Sequence, residues 1–184
     1  MPFYYRKRMR TIVDTYIYTY ASYEDERSLR ALEMRSLFGC ESETNILEST
    51  VKIDPSRSPF MKERIGVIFE GDSLQELLAK VATLKVPGET FKVLYVKNGS
   101  VKVTFEKRRR IEREVGLQIN GKVDLQQPQR LYGVMNINGR WIFGEYVESE
   151  SVWFRHQQKP HHYSTALSTR VARAVVNIAI PDPT

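Results

Sequence analysis

The chain has 184 residues, 41% hydrophobic and 27% charged, long enough to bury a real core and balanced like a globular protein. Its apolar runs are short, no apolar stretch follows the basic start MPFYYRKRMR, and Cys40 is the single cysteine. A transmembrane span, a secretory signal and an internal disulfide are therefore not expected, and a reducing cytoplasm is the expected compartment.

The formal charge of +6 is unevenly spread: residues 1–10 hold four basic and no acidic side chains, residues 11–97 hold 11 and 14, and residues 98–184 hold 13 and 8. Basic ends around a mildly acidic middle point to an anionic partner.

Residues 11–21, TIVDTYIYTYA, are rich in β-branched and aromatic side chains and read as a strand. Residues 23–39, YEDERSLRALEMRSLFG, read as a helix with Leu29, Leu32 and Leu37 on its buried face and Gly39 as its left-handed stop. Glu24, Asp25 and Glu26 fall in its first turn, where the helix dipole favours anions. That role accounts for the triplet better than a catalytic cluster does.

Residues 44–54 and Met61–Gly71 read as strands, separated by PSRSP, which Pro55 and Pro59 keep irregular. Residues 72–84 read as a helix with Asp72 as N-cap, Gln75 completing a capping box, and an apolar stripe of Leu74, Leu77, Leu78, Val81 and Leu84. PGE then turns the chain into a strand over residues 90–98. The order β-α-β-β-α-β is that of a ferredoxin-like α+β sandwich.

Residues 104–119, TFEKRRRIEREVGLQI, read as a helix with Phe105, Ile111, Val115 and Ile119 facing inward. Lys107, Arg108, Arg109, Arg110 and Arg113 cover the remainder. VDLQQPQ reads as a short strand entering a proline turn, and residues 131–148 as a hairpin turning at Asn138-Gly139. A polar connector over residues 149–162 leads to a terminal helix. Leu167, Val171, Ala174, Val175 and Ile178 recur there at three- and four-residue steps, with Ser164 as N-cap and Pro181 as stop.

No catalytic constellation is legible. None of the ten glycines stands two residues from another, so no Gly-x-Gly phosphate turn exists. His156, His161 and His162 crowd on one connector without a second cysteine, which is no metal site. Cys40 has no evident base beside it. What the chain does carry is cations interleaved with aromatics: Tyr4 and Tyr5 before Arg6, Lys7, Arg8 and Arg10, and Trp153, Phe154 and Tyr163 around Arg155, His156, Lys159 and His161. Cations bind phosphates and aromatic faces stack on unpaired bases.

The FKV strand, the basic helix ending in EVG, the segment VDLQQP and the following hairpin together resemble a THUMP domain, an RNA-binding module of RNA-modifying enzymes. The elements before them resemble the ferredoxin-like domain that accompanies it. HYSTALSTRVARAVVNIAIPDP resembles the connector and first helix leading into the Rossmann-like domain of THUMP-containing, S-adenosylmethionine-dependent RNA methyltransferases. Their best-known activity methylates the exocyclic N2 of a tRNA guanosine.

The resemblance implies an α+β fold with a ferredoxin-like domain over residues 1–70, a THUMP domain over 71–150, and a connector with the first helix of a methyltransferase domain over 151–184. It assigns the helix over residues 72–84 to the second unit. A Gly-containing methyl-donor loop and an Asn/Asp-Pro-Pro-aromatic motif belong downstream of that terminal helix, and PDPT is not that motif. No cofactor is therefore expected in this chain, S-adenosylmethionine is implied for a full-length protein, and the chain alone is expected to be inactive. The implied partners are RNA, tRNA above all, and the downstream methyltransferase domain, with no membrane. The expected RNA contacts are Lys107, Arg108, Arg109, Arg110, Arg113, Arg140, Arg155, Lys159, His161 and Tyr163. Val175, Ile178 and Ile180 are expected to be partly exposed. The alternative is a stand-alone ferredoxin-like binding or regulatory domain for a small molecule or protein, with its tail helix as a lid or dimer contact.

Overall fold

The structure is a computed structural model and describes residues 15–21, 24–99, 102–157 and 167–182. Its strands are β1 (Tyr16–Tyr20), β2 (Ile46–Ser49), β3 (Met61–Gly71), β4 (Lys85–Tyr95), β5 (Asn120–Val123), β6 (Arg130–Ile137) and β7 (Arg140–Glu148). The helices are α1 (Arg27–Phe38), α2 (Leu74–Val81), α3 (Phe105–Gln118) and α4 (Thr169–Ala179). None of these helices is long and apolar enough to cross a membrane.

All seven strands join one sheet in the order β2-β1-β3-β7-β6-β4-β5. The first six elements follow the predicted order but do not close a sandwich by themselves. Strand β3 pairs antiparallel with β1 on one side and β7 on the other, and β4 lies beyond β7 and β6, parallel to β6. The mixed α+β class is as expected, and one sheet runs through both halves.

Alternation along the strands sorts side chains into three apolar clusters. Tyr16, Tyr18 and Tyr20 of β1 meet Met34, Leu37 and Phe38 of α1, with Ala174 of α4 beside them. Phe91, Val93, Tyr132, Val134 and Phe143 of the other half pack under Leu77 and Val81 of α2 and Ile111 and Val115 of α3. The opposite face of the sheet buries Ile17, Ile65, Met135, Ile142 and Tyr146 without any helical residue in their cluster. The sheet coils to enclose them: Arg140 Nη2 at the start of β7 reaches Glu48 Oε2 of β2 at 2.5 Å, although β3 and β1 stand between the two strands in sheet order.

Several local expectations are corrected. The ladder of the second predicted strand covers only Ile46–Ser49, because the Tyr18 hydroxyl then takes over the backbone, donating to Val51 O at 2.7 Å and accepting from Ile53 N at 2.8 Å. Helix α2 is capped by Ser73, whose hydroxyl accepts from Glu76 N, while the Glu76 carboxylate accepts from Asp72 N. The cap sits one residue later than Asp72 and Gln75 suggest, and the returning bond goes to the residue before the N-cap. Strand β4 starts at Lys85, and Gly88 at φ 76° absorbs the PGE irregularity inside it.

Strand β5 lies at Asn120–Val123, so most of VDLQQPQ forms the turn after it. The acidic triplet forms a 3-10 turn ahead of α1, and no side chain caps that helix. Leu32 is exposed, since α1 buries Arg30 and Glu33 beside Met34, Leu37 and Phe38. Helix α4 begins at Thr169 with the Ser168 hydroxyl accepting from Val171 N; Ser164 lies outside the described residues, as do positions 1–14 of the basic start and first predicted strand. The Gly39 stop at φ 72° and the Asn138-Gly139 turn at φ 52° and 98° are as predicted.

Candidate nucleic-acid interface

Helix α3 presents five of the expected cations, and its placement follows from its sequence. The Thr104 hydroxyl caps the start by accepting from Lys107 N at 3.3 Å. Ile111 and Val115 are buried against Val93 and Phe91. Glu112 pins the helix to the sheet, its Oε1 accepting from the Tyr95 backbone N–H at 2.9 Å.

The cations are not equivalent. Arg109 Nη1 donates to Glu112 Oε2 at 2.9 Å, and Arg110 Nε donates to Glu114 Oε1 at 2.8 Å. The Glu114 carboxylate raises Arg110 further above its ordinary value. Phe105 does not face inward: it is 57% exposed and carries the Arg108 and Arg109 guanidinium carbons 5.7 and 5.2 Å from its ring centroid. Arg108 is half-buried. Lys107 and Arg113 are exposed, and among the described residues neither has a carboxylate within 4.0 Å.

The other expected contacts lie elsewhere. Arg140 sits at the hairpin and is drawn toward Glu48 and Glu70. Arg155 is exposed in a 3-10 turn, Val152–Gln157, and lines a cleft of about 530 Å³ with Trp153, Leu167, Arg173 and Val176. Trp153 and Phe154 meet edge to face at 5.4 Å there. Lys159, His161 and Tyr163 lie outside the described residues, as do Tyr4 to Arg10. Arg109 and Arg113 line a different cleft, floored by Phe91 and Val93. The sequence reading missed that cleft, which brings together residues of β4, α3 and the end of β5 with the turn after it. Only the apolar residues left over from the predicted core, Leu117, Val123 and Leu125, carried a signal of it.

No family model matches the chain, and no curated protein matches it by sequence. Solved structures do match in fold. TrmN from Thermus thermophilus aligns with a TM-score of 0.54 at 13% identity, over 90% of this chain and 54% of that one. PH1313 from Pyrococcus horikoshii Ot3 aligns with a TM-score of 0.52 at 14% identity, over 74% of this chain and 55% of that one. A 4-thiouridine synthetase in complex with RNA and bound ATP aligns with a TM-score of 0.41 at 14% identity, over 73% and 42%. The chain spans about half the length of the solved chains it matches. The fold is THUMP-like α+β.

Proposed function

We propose that this chain is the RNA-recognition region of an S-adenosylmethionine-dependent RNA methyltransferase, holding a tRNA so that a guanosine reaches a downstream Rossmann-like domain for N2-methylation. The observation that carries the reading is the solvent-facing row of cations on α3, set on a THUMP-like fold. Lys107, Arg110 and Arg113 are exposed and lie clear of the Phe105 ring, and phosphate binding by such a row gains from counterion release. Arg140, Arg155, Lys159, His161 and Tyr163 extend the proposed contacts toward the hairpin and the connector.

S-adenosylmethionine would be held by the downstream domain, and no residue of this chain is assigned to it. Leu167, Val175, Val176 and Ile180 are exposed apolar side chains on or beside α4 that such a domain would cover, while Ile178 is half-buried.

Replacing Lys107, Arg110 and Arg113 by alanine is expected to weaken tRNA binding at fixed salt and to lower the slope of log K against log salt by about one for each phosphate no longer neutralised. Fluorescence titration across a salt series measures both. Unchanged affinity and slope would return α3 to an ordinary solvated face. Arg108 is left intact in that variant because it packs on Phe105.

The methyltransferase part has its own test in the gene beyond the codon for Thr184. A frame encoding a Gly-containing loop and an Asn/Asp-Pro-Pro-aromatic motif supports it, and a stop codon removes it. The stand-alone alternative draws on one observation, the docking of α4 onto α1 through Asn177 and onto the turn before it through Arg170. It predicts a protein with no affinity for RNA at any salt.

A further inference from the structure

Gly116 has no packing reason to be glycine. It stands near the end of α3, where glycine weakens a helix relative to alanine. Its φ is not positive, and an added Cβ would meet nothing nearer than Val93 Cγ2 at 3.9 Å. Gly121 and Gly133 differ, since a Cβ on either would press at 3.0 Å on Phe91 or Ile65. What the missing side chain of Gly116 does is leave a cleft of about 310 Å³ open between α3 and the start of the β5–β6 turn.

The cleft is built from both sides. Arg109, Arg113 and Gly116 stand at i, i+4 and i+7, so one edge of α3 forms one wall. The opposite wall is Val123 and Leu125, and the turn that carries Leu125 is fixed. Asp124 Oδ1 accepts from Gln126 N and Gln127 N at 2.9 and 3.0 Å, and Lys92 Nζ donates to Leu125 O at 3.0 Å. The result is a mostly apolar slot whose charged lining residues are Arg109, Glu112 and Arg113, with Glu112 paired to Arg109. Leu117 at 73% and Leu125 at 66% exposure are held open to solvent on either side of it.

We infer that this cleft takes one unpaired nucleotide of the RNA, its base between Leu117 and Leu125 and its phosphate on Arg113. The inference rests on the RNA-binding reading above and adds the chemistry of one subsite to it. The volume is at the small end for ligand sites, about 300 Å³, which suits a single base and excludes a base pair. Apolar walls accept the face of any base, and a guanidinium beside them takes the phosphate. Of the two rim cations Arg109 is already tied to Glu112, which leaves that role to Arg113. A buried apolar side chain from a protein partner would gain nothing from this charged rim.

The test uses a fluorescein-labelled, unstructured RNA octamer, together with versions carrying an abasic residue at each position in turn. The wild-type chain is expected to lose about tenfold in affinity at one abasic position. Gly116→Leu fills the cleft from the helix side and is expected to bind the intact octamer about tenfold more weakly, with the abasic sensitivity gone. Its Tm should be unchanged or higher, because leucine is the better helix former. Gly116→Ala should keep the wild-type affinity. Leu117→Ser, at a mostly exposed position, gives a second readout if the leucine variant folds poorly.

If Gly116→Leu and Leu117→Ser bind the octamer like wild type, or no abasic position matters, the cleft inference is overturned while RNA binding stands. A wild-type chain that binds neither octamer nor tRNA overturns the RNA reading and the inference together. A change in sedimentation in place of a change in RNA affinity assigns the cleft to a second copy of the chain and also overturns it.

Discussion

Alanine at Gly144 is expected to cost about 4 kcal/mol or more and to lower Tm on the order of 10 °C. The reason is the approach of β7 to β3. A Cβ on Gly144 would overlap the carbonyl oxygen of Gly66 and stand 2.7 Å from its carbonyl carbon, with Ile65 Cγ2 at 3.0 Å on the same side. None of these backbone atoms can yield by rotating a side chain. Gly144 pairs across to Val67 in β3 and to Gly133 in β6, next to the register shift between Val67 and Phe69. Glycines on three neighbouring strands let the sheet coil there, and Ile65 fills the space their missing side chains leave.

Because β3–β7 is the pairing that joins the two halves of the sheet, the damage should reach the whole fold cooperatively. The same chemical change at Gly116 makes only an ordinary contact, with Val93 Cγ2 at 3.9 Å, and should raise Tm by about 2 °C. Thermal denaturation of the two variants side by side measures the contrast. A Tm for Gly144→Ala within experimental scatter of wild type would mean that the strands do not approach this closely.

Elements whose signal is local were legible from sequence, and those set by partners far along the chain were not. Strand β3 announced itself by β-branched residues between PSRSP and Gly71, and its predicted bounds match the structure. The hairpin followed from Asn138-Gly139. Helix α3 was bounded by Thr104 and its apolar spacing.

Phe105 fits the same spacing but, as the first residue of the helix, stays out of the cluster around Phe91 and Val93 and carries two arginines on its ring. The cap of α2 slipped by one because Asp72 and Ser73 are both capping residues and both Gln75 and Glu76 can close a box; only the hydrogen bonds decide for Ser73 and Glu76. Leu32 was counted into the core of α1 because apolar residues normally mark the buried face. There the buried positions go instead to Arg30 and Glu33, whose partners Asn45, Ser58 and Asn177 lie up to 144 residues away. The basic face of α3 was legible as charge, while the cleft beside it was not, since its floor and its two walls come from three separate stretches of chain.

Glu33 is the group on which the seat of α4 depends, and Glu33→Ala is expected to loosen that helix at a cost of about 3 kcal/mol. Its carboxylate is fully buried. It accepts from the Ser58 hydroxyl at 2.5 Å and from Asn177 Nδ2 at 2.6 Å. Asn177 and Arg173 of α4 also donate to the Arg57 carbonyl at 3.0 and 2.9 Å, and Arg57 Nη2 donates to Ile180 O at 2.7 Å. Removing the carboxylate takes the acceptor from the buried Ser58 hydroxyl and leaves the Asn177 amide only the Arg57 carbonyl. Hydrogen exchange should therefore report weaker protection over residues 169–179 before the sheet is affected.

The pH dependence separates Glu33 from an ordinary paired carboxylate. Burial pushes its carboxyl up, against the pull of Ser58, Asn177, Arg173 and Arg57. At pH below the usual carboxylate range Glu33 is protonated in both folded and unfolded chains. As pH rises the unfolded chain releases the proton first while the folded one retains it, so stability falls until pH passes the raised folded value. Glu33→Gln keeps an acceptor toward Asn177, turns a donor instead of an acceptor toward Ser58, and cannot titrate. The stability of wild type relative to this variant should thus decline with rising pH, and chemical denaturation from pH 4 to pH 8 measures it. A flat difference would show that the hydrogen bonds and arginines cancel burial, and one that grows with pH that they outweigh it, making Glu33 a stabilising anion. In the proposed methyltransferase this network would fix the direction in which α4 leaves the RNA-binding half, so loosening it should impair methylation of a bound tRNA more than the binding itself.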